Sequence, residues 1–386
     1  MKAKIIRITT VPISLGGLLK GQLKYMTTYF EVIGIASSDN NLIDKIAQQE
    51  EIEVIPVEMT RKITPIQDLI AVWRLYKIFK QQKPEIVHTH TPKAGTLGMI
   101  AAFLAGVPIR LHTIAGLPLL ETKGNKRKLL NLVEKFTYKF ATKIYPNSFG
   151  LKEIILKYKF TPASKLKVLG NGSSNGINTK IFNNDMFSKQ EKENLKQELG
   201  ILESDYVFIF VGRLVKDKGI NELVNAFDKL NITNKNIKLL LVGTYENDLD
   251  PLEETTQKII ENNKAIIVTG WQSDVRPYLC IANVLTFPSY REGFPNVVMQ
   301  AGAMGLPSIV TNINGCNEII IDKLNGVIIP VKNETALLKE MRLFLEGYYS
   351  ISKDKIRQNI VDKYEQEYVW QHILAEYNQL LKVVVK

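Results

Sequence analysis

Arg213 and Lys218 stand near the two ends of one short segment, Gly212-Arg213-Leu214-Val215-Lys216-Asp217-Lys218-Gly219. A planar guanidinium and a point-charge ammonium on one loop could together grip a diphosphate. The complement lies downstream, in Phe287-Pro288-Ser289-Tyr290-Arg291-Glu292-Gly293-Phe294-Pro295-Asn296 and the residues that follow to Pro307. This stretch reads as a buried strand (Val284 to Phe287), a polar turn holding Glu292 and Gly293, and a helix entered at Pro295 and closed by Gly305-Leu306-Pro307. A helix N-terminus aims free N–H groups and partial positive charge at one point, so an anion suits it. An ordinary strand-to-helix connection has the same outline, but the Glu292 carboxylate beside an anion site calls for a polyhydroxylated ligand. A nucleotide sugar has both parts.

Other loops offer weaker chemistry. His88 and His90 are two residues apart on a strand and point the same way, as a metal pair would. Only His112 and His372 remain, and no cysteine or acid cluster lies nearby. That favours an imidazole positioning an acceptor by hydrogen bonds, with Lys93 adding charge at the next helix start. Gly16-Gly17, after the first strand, permits close backbone approach to a ligand or simply makes a turn; the full GxGxxG spacing is absent. Lys123, Lys126, Arg127 and Lys128 open an apolar helical stripe that could lie on an anionic membrane or pack on its own domain. Asp248-Leu249-Asp250 has the Asp-x-Asp form of a metal site but sits where an aspartate commonly caps a helix.

The elements that must carry these residues alternate. Lys4 to Ile8, Glu31 to Ala36, Glu53 to Val57, Glu85 to His88, Ile109 to Thr113, Lys143 to Asn147 and Leu166 to Leu169 are short apolar runs separated by helix-length segments. After a polar passage the pattern resumes with Tyr206 to Val211, Leu239 to Val242, Ala265 to Val268, Val284 to Phe287, Ser308 to Thr311 and Val327 to Ile329. Two α/β halves with parallel sheets follow, fitting a chain of 386 residues. The last helix carries Trp370, Ile373, Leu374, Tyr377 and Leu380 as a stripe that must pack on something. Two cysteines, Cys280 and Cys316, make no disulfide framework and suit a reducing compartment. Neither a signal peptide nor a long uncharged apolar run is expected, so the chain reads as soluble. A net charge of +11 and a pI near 9.3 call for an anionic partner unless they are solvated lysine surface.

The Glu292 stretch resembles the signature of the retaining GT-B glycosyltransferases of family 4, in which a Glu, seven residues and a second acid precede a helix ending Gly-Leu-Pro. Here Glu292 and the seven residues Gly293 to Met299 are followed by Gln300, an amide in place of the second acid. A carboxylate can accept two hydrogen bonds from a diol, whereas Gln300 accepts one and donates another. Arg213 and Lys218 match the family's Gly-Arg-(x)4-Lys-Gly element. Asn171 to Phe182 is similar to its interdomain hinge, with Ile177 and Asn178 in place of Val and Asp. The run from Val87 to Gly95, with His112 to Pro118 and Gly293 to Gly302, looks like the capsular and O-antigen polysaccharide branch.

The resemblance implies an α/β GT-B fold with two Rossmann-like domains facing across a cleft. Residues 1–183 and the returning helix 365–386 would bind the acceptor, and 184–364 the nucleotide sugar. It implies transfer from a UDP-sugar with retention, to a saccharide on polyprenyl diphosphate, in the cytoplasm or peripherally on the inner face of the membrane. Glu292 would hold donor hydroxyls with the N–H groups of Gly293 and Phe294. Gln300 would meet the ribose, Pro295 and Asn296 would open the anion-binding helix, and Arg213 and Lys218 would stabilise departing UDP. His112 would contact the donor sugar, and Gly17 the donor phosphates or the acceptor. Gly243, Gly270 and Trp271 would flank the base. His88, His90 and Lys93 remain acceptor candidates, and Lys126, Arg127 and Lys128 membrane candidates. No cofactor, metal or nucleic acid is expected, and no carboxylate pair suggests a protein nucleophile. Two other readings stay open, a UDP-sugar 2-epimerase of the same architecture and a basic membrane- or nucleic-acid-binding module without catalysis.

Overall fold

Runs such as Tyr206-Val207-Phe208-Ile209-Phe210-Val211 are apolar at every position, not at alternate ones, which a parallel strand covered on both faces requires. The computed structural model describes residues 2–384 except 40, 61, 63, 247 and 249. In it these runs form two six-stranded parallel sheets. The first comprises β1 (Lys4–Ile8), β2 (Glu31–Ala36), β3 (Glu53–Pro56), β4 (Ile86–Thr89), β5 (Ile109–Ile114) and β6 (Lys143–Pro146) in the order β3-β2-β1-β4-β5-β6. The second comprises β7 (Tyr206–Val211), β8 (Ile237–Val242), β9 (Ile266–Gly270), β10 (Val284–Phe287), β11 (Ser308–Thr311) and β12 (Gly326–Ile329) in the order β12-β11-β10-β7-β8-β9. Both are doubly wound, the chain reversing its direction across the sheet between β1 and β4 and again between β7 and β10.

The chain divides into two compact units, Met1–Gly176 with Gln366–Lys386, and Ile177–Glu365. The division falls inside the Asn171 to Phe182 element, upstream of the 183/184 boundary expected from sequence. Ile177 N donates to Tyr364 O at 2.8 Å, and Arg357 donates to the carbonyls of Thr179 and Phe182 at 2.8 Å each, tying 177–182 to the second unit. The helix Gln366–Val384 belongs to the first unit, as the stripe expected of it requires: Val369, Ile373 and Tyr377 are buried with Ile5, Val32, Ile86 and Leu111 of the sheet. Trp370 Nε1 donates to Asn175 Oδ1 at 2.7 Å.

Two sequence expectations need correction. Leu166 to Leu169 is not a strand; Leu166 alone bridges to Ile144 before the chain turns at Gly170, φ +55°. Gly16 and Gly17 do not make a turn but lie within the helix Pro12–Leu18, which proline starts.

Candidate active site

β7 and β10 are hydrogen-bonded neighbours from which the sheet grows in opposite directions, and ligands of doubly wound sheets bind at the carboxyl ends of such a pair. Lys218 lies on the loop after β7 and Glu292 on the loop after β10. The structure brings them together. Lys218 Nζ donates to Glu292 Oε1 in an ion pair whose side chains are 15% and 16% exposed, and Ser289 Oγ lies 3.0 Å from the same carboxylate oxygen. The ammonium has three donors, so holding Glu292 leaves others for phosphate oxygens.

Backbone geometry forces this approach. Gly219, at φ +71°, faces the Pro288 carbonyl where a Cβ would collide, so only glycine lets the two loops close. Gly315, at φ +78°, lies equally tight against Gly293 O and Phe294 Cα, and Asn314 Nδ2 donates to the carbonyls of Glu292 and Gly293. The helix Asn296–Ala303 begins beside Glu292 with Pro295 as its N-cap and no capping side chain. Val298 N donates back to Pro295 O at 3.2 Å, and no N-cap side chain serves the N–H groups ahead of it, where an anion would be favoured. Gln300 is half-buried on this helix, and Phe294 is buried against Tyr364 with ring centroids 5.4 Å apart. Burial pushes the neighbouring Cys316 thiol up, with the Glu292 charge adding to it.

The other expected donor residues of this unit are more dispersed. Arg213 does not join the Lys218 network; its Nη1 donates to Glu246 Oε2 at 2.5 Å, a half-exposed pair. Gly243 closes on the Gly212 carbonyl with no space for a Cβ. Trp271, which could have been a packed core residue, is 72% exposed beside Gly270. Asp250 Oδ2 accepts from Asp217 N at 2.7 Å and so supports the Lys218 loop, while Leu249 of the Asp-x-Asp pattern lies outside the described residues. Among the described residues no group of three or more His, Cys, Asp or Glu side chains is placed to hold a metal ion.

In the first unit the histidines face inward, which corrects the expectation of an acceptor-positioning imidazole. His88 shares hydrogen bonds with Tyr377 OH and with Thr113 Oγ1 (2.8 Å), and Arg7 Nε donates to His90 Nε2 at 3.0 Å. The two rings sit 4.2 Å apart, and His88, through Tyr377, ties the Gln366–Val384 helix to the sheet. His90 Nδ1, Asn147 Oδ1 and Ser174 Oγ line a buried cavity of about 10 Å³, room for one water. His112 is buried within β5, its Nδ1 2.8 Å from Thr89 Oγ1 and its ring against Gly95, where a Cβ would strike it. Burial holds His112 down to about 4 and keeps His88 and His90 well below the usual imidazole range, with Arg7 adding to the effect on both. Lys93 is paired with Asp68 at 2.6 Å. A Cβ on Gly17 would meet open space, so nothing within the chain requires glycine there.

Residues 191–363 match the family model for glycosyl transferases group 1, and residues 22–148 match that for glycosyl transferase 4-like proteins. The capsular polysaccharide biosynthesis glycosyltransferase CapM of Staphylococcus aureus is 32% identical over 381 residues, 98% of each chain. The chain belongs to the group 1 glycosyltransferases. The Escherichia coli UDP-Gal:alpha-D-GlcNAc-diphosphoundecaprenol alpha-1,3-galactosyltransferase is 31% identical, covering 94% of this glycosyltransferase and 92% of that relative. The crystal structure of Anabaena HepE in complex with UDP and glucose superposes with a TM-score of 0.80 at 17% identity, over 97% and 99% of the two chains. The α/β GT-B fold expected from the sequence is thus the fold of this glycosyltransferase.

Sequence reasoning missed the residues that hold the two loops in register. Arg291 Nη2 donates to Asp217 Oδ2 at 2.8 Å, Tyr290 N to Asp217 O at 2.8 Å, and Tyr290 OH to Glu222 at 2.6 Å. Asp217 and Arg291 are the immediate neighbours of Lys218 and Glu292, a signal visible only once the loops are known to meet. Arg291→Ala should lower kcat/KM of this glycosyltransferase about tenfold, roughly 1.4 kcal/mol, with Arg291→Lys recovering part of it. Initial rates at parental level for Arg291→Ala would show that the loops stay in register without the pair.

Proposed function

We propose that this glycosyltransferase moves a sugar from a UDP-sugar to a hydroxyl of a saccharide carried on polyprenyl diphosphate, with retention and without a metal, in the synthesis of a capsular or O-antigen type of polysaccharide. The observation that carries the reading is the Lys218–Glu292 pair at the switch point, beside the uncapped start of the Asn296–Ala303 helix. The ammonium and the helix N-terminus meet the charge that develops as the diphosphate departs. Glu292 accepts from sugar hydroxyls and fixes the donor. The departing phosphate takes the acceptor proton as the acceptor attacks the same face, so no protein nucleophile is needed. The galactosyltransferase relative, whose name gives UDP-Gal as donor and a diphosphoundecaprenol acceptor, supports both substrate classes. HepE, crystallised with UDP and glucose, supports the donor class. Membership of the glycosyltransferase family favours transfer over the epimerase and non-catalytic readings.

A panel of nucleotide sugars tests the donor. A UDP-sugar at a hundredfold excess over its Kd should stabilise the native chain by about 2.7 kcal/mol, read as a rise in Tm. Stabilisation only by sugars of another nucleotide would overturn the donor class. An inverted anomeric configuration in the product, or turnover abolished by a chelator, would overturn retention or metal independence.

A further inference from the structure

β10 and β11 are parallel, hydrogen-bonded neighbours, so the loops that leave their carboxyl ends start side by side. The β11 loop props the turn that carries Glu292 at three points. Thr311 Oγ1 donates to Ser289 O, Asn314 Nδ2 donates to both Glu292 O and Gly293 O, and Gly315 stands where a Cβ would strike Gly293 O and Phe294 Cα. Lys218 reaches the same turn from the opposite flank, since β7 lies on the other side of β10.

Both partners of Asn314 are acceptors, which settles the orientation of its amide, because only the NH2 end can face them. Successive carbonyls of an extended strand point to opposite sides. Here two successive carbonyls reach one nitrogen, and the chain bends at Gly293 and Phe294 to allow it. No cis peptide bond occurs among the described residues, and a trans peptide carries its C=O and N–H on opposite sides. The N–H of Gly293 therefore lies opposite the Glu292 carbonyl, the N–H of Phe294 lies opposite the Gly293 carbonyl, and both point away from Asn314. Gly293 and Phe294 are buried residues, yet neither N–H donates to another group among the described residues. Buried backbone N–H groups are rarely left unpaired, and two that point the same way concentrate partial positive charge on one oxygen-sized spot.

We propose that Asn314 is a positioning residue for the donor: by drawing two carbonyls back, it aims the N–H groups of Gly293 and Phe294 at a hydroxyl oxygen of the transferred sugar. The Glu292 carboxylate on the same turn selects a hydroxyl over a phosphate oxygen. A hydroxyl accepts from the N–H pair and donates to the carboxylate, whereas a phosphate oxygen has no proton to give and would be repelled. The diphosphate is then served from the β7 side by Lys218, and the sugar from the β11 side through Asn314. This assignment rests on the transfer reading above, but not on which nucleotide carries the sugar.

The test is calorimetric titration of the full chain with the nucleotide sugar that stabilises it most, and separately with the matching nucleoside diphosphate. Asn314→Leu keeps the approximate size of the side chain and removes its donor, and Asn314→Ala removes both. Each should bind the nucleotide sugar about tenfold more weakly, with kcat/KM falling at least as far. The nucleoside diphosphate should bind the parent and both variants within about twofold, which also shows that the second unit is folded. A role confined to supporting the loop would weaken sugar and diphosphate together, and that result overturns the proposal. Parental nucleotide-sugar affinity in both variants overturns it as well. Should the sugar that binds carry a base other than uracil, the UDP reading fails alone, because each sugar is compared with its own diphosphate.

Discussion

Lys218→Ala should remain folded and lose about 10²–10³-fold in kcat, the scale on which a preorganised charge at a developing anion contributes. The ammonium is the only cation found in contact with the Glu292 carboxylate among the described residues, and both lie where β7 and β10 deliver their loops. Glu292→Ala should be at least as damaging, because it removes the carboxylate proposed to accept from donor hydroxyls and frees Lys218 from its position. Each single change strands the opposite charge in a site mostly shielded from water. A stability loss below the roughly 3–5 kcal/mol of a fully buried pair is therefore expected, and circular dichroism and Tm must be read beside the rates. The double variant should be more stable than either single one and equally inactive. Near-parental turnover by either single variant would remove the assignment of this site.

Acidification gives the second large effect. An unfolded histidine takes up a proton near its ordinary value of 6.5, whereas His112 in the folded chain does so only at about 4, and His88 and His90 are also held low by burial. Between those limits the unfolded chain binds more protons, so stability falls as pH falls from 6.5. His112 alone accounts for about 2 kcal/mol by pH 5, and the other two add to it. Urea midpoints at pH 7, 6 and 5 should descend, and His112→Asn should flatten part of the slope. A level profile would mean that the imidazoles reach water in the folded chain.

The sheets were legible because burial on both faces writes strands as unbroken apolar runs, and Tyr206 to Val211 can be read without a partner in view. Leu166 to Leu169 misled because the same composition also serves a segment packed beside a sheet edge. In the site, Lys218 and Glu292 could be chosen by type and by the glycines next to them, since a charge flanked by a tight turn after a buried strand has few structural reasons to exist. Asp217, Arg291 and Tyr290 could not, because their roles depend on contacts made across loops far apart in the chain. The setting of His88 was hidden for the opposite reason. The residue that closes over it, Tyr377, comes almost three hundred positions later.

The return of the Gln366–Val384 helix to the first unit reverses the usual order of assembly on the ribosome. Domains ordinarily mature in the order they are made. Here residues 177–365 emerge with every strand of their own sheet, while the earlier-made half still lacks the side chains that cover Ile5, Val32 and Leu111 and that satisfy His88. The portion translated first is thus completed last. During that interval its sheet face and its polar cluster lack the cover that the Gln366–Val384 helix supplies.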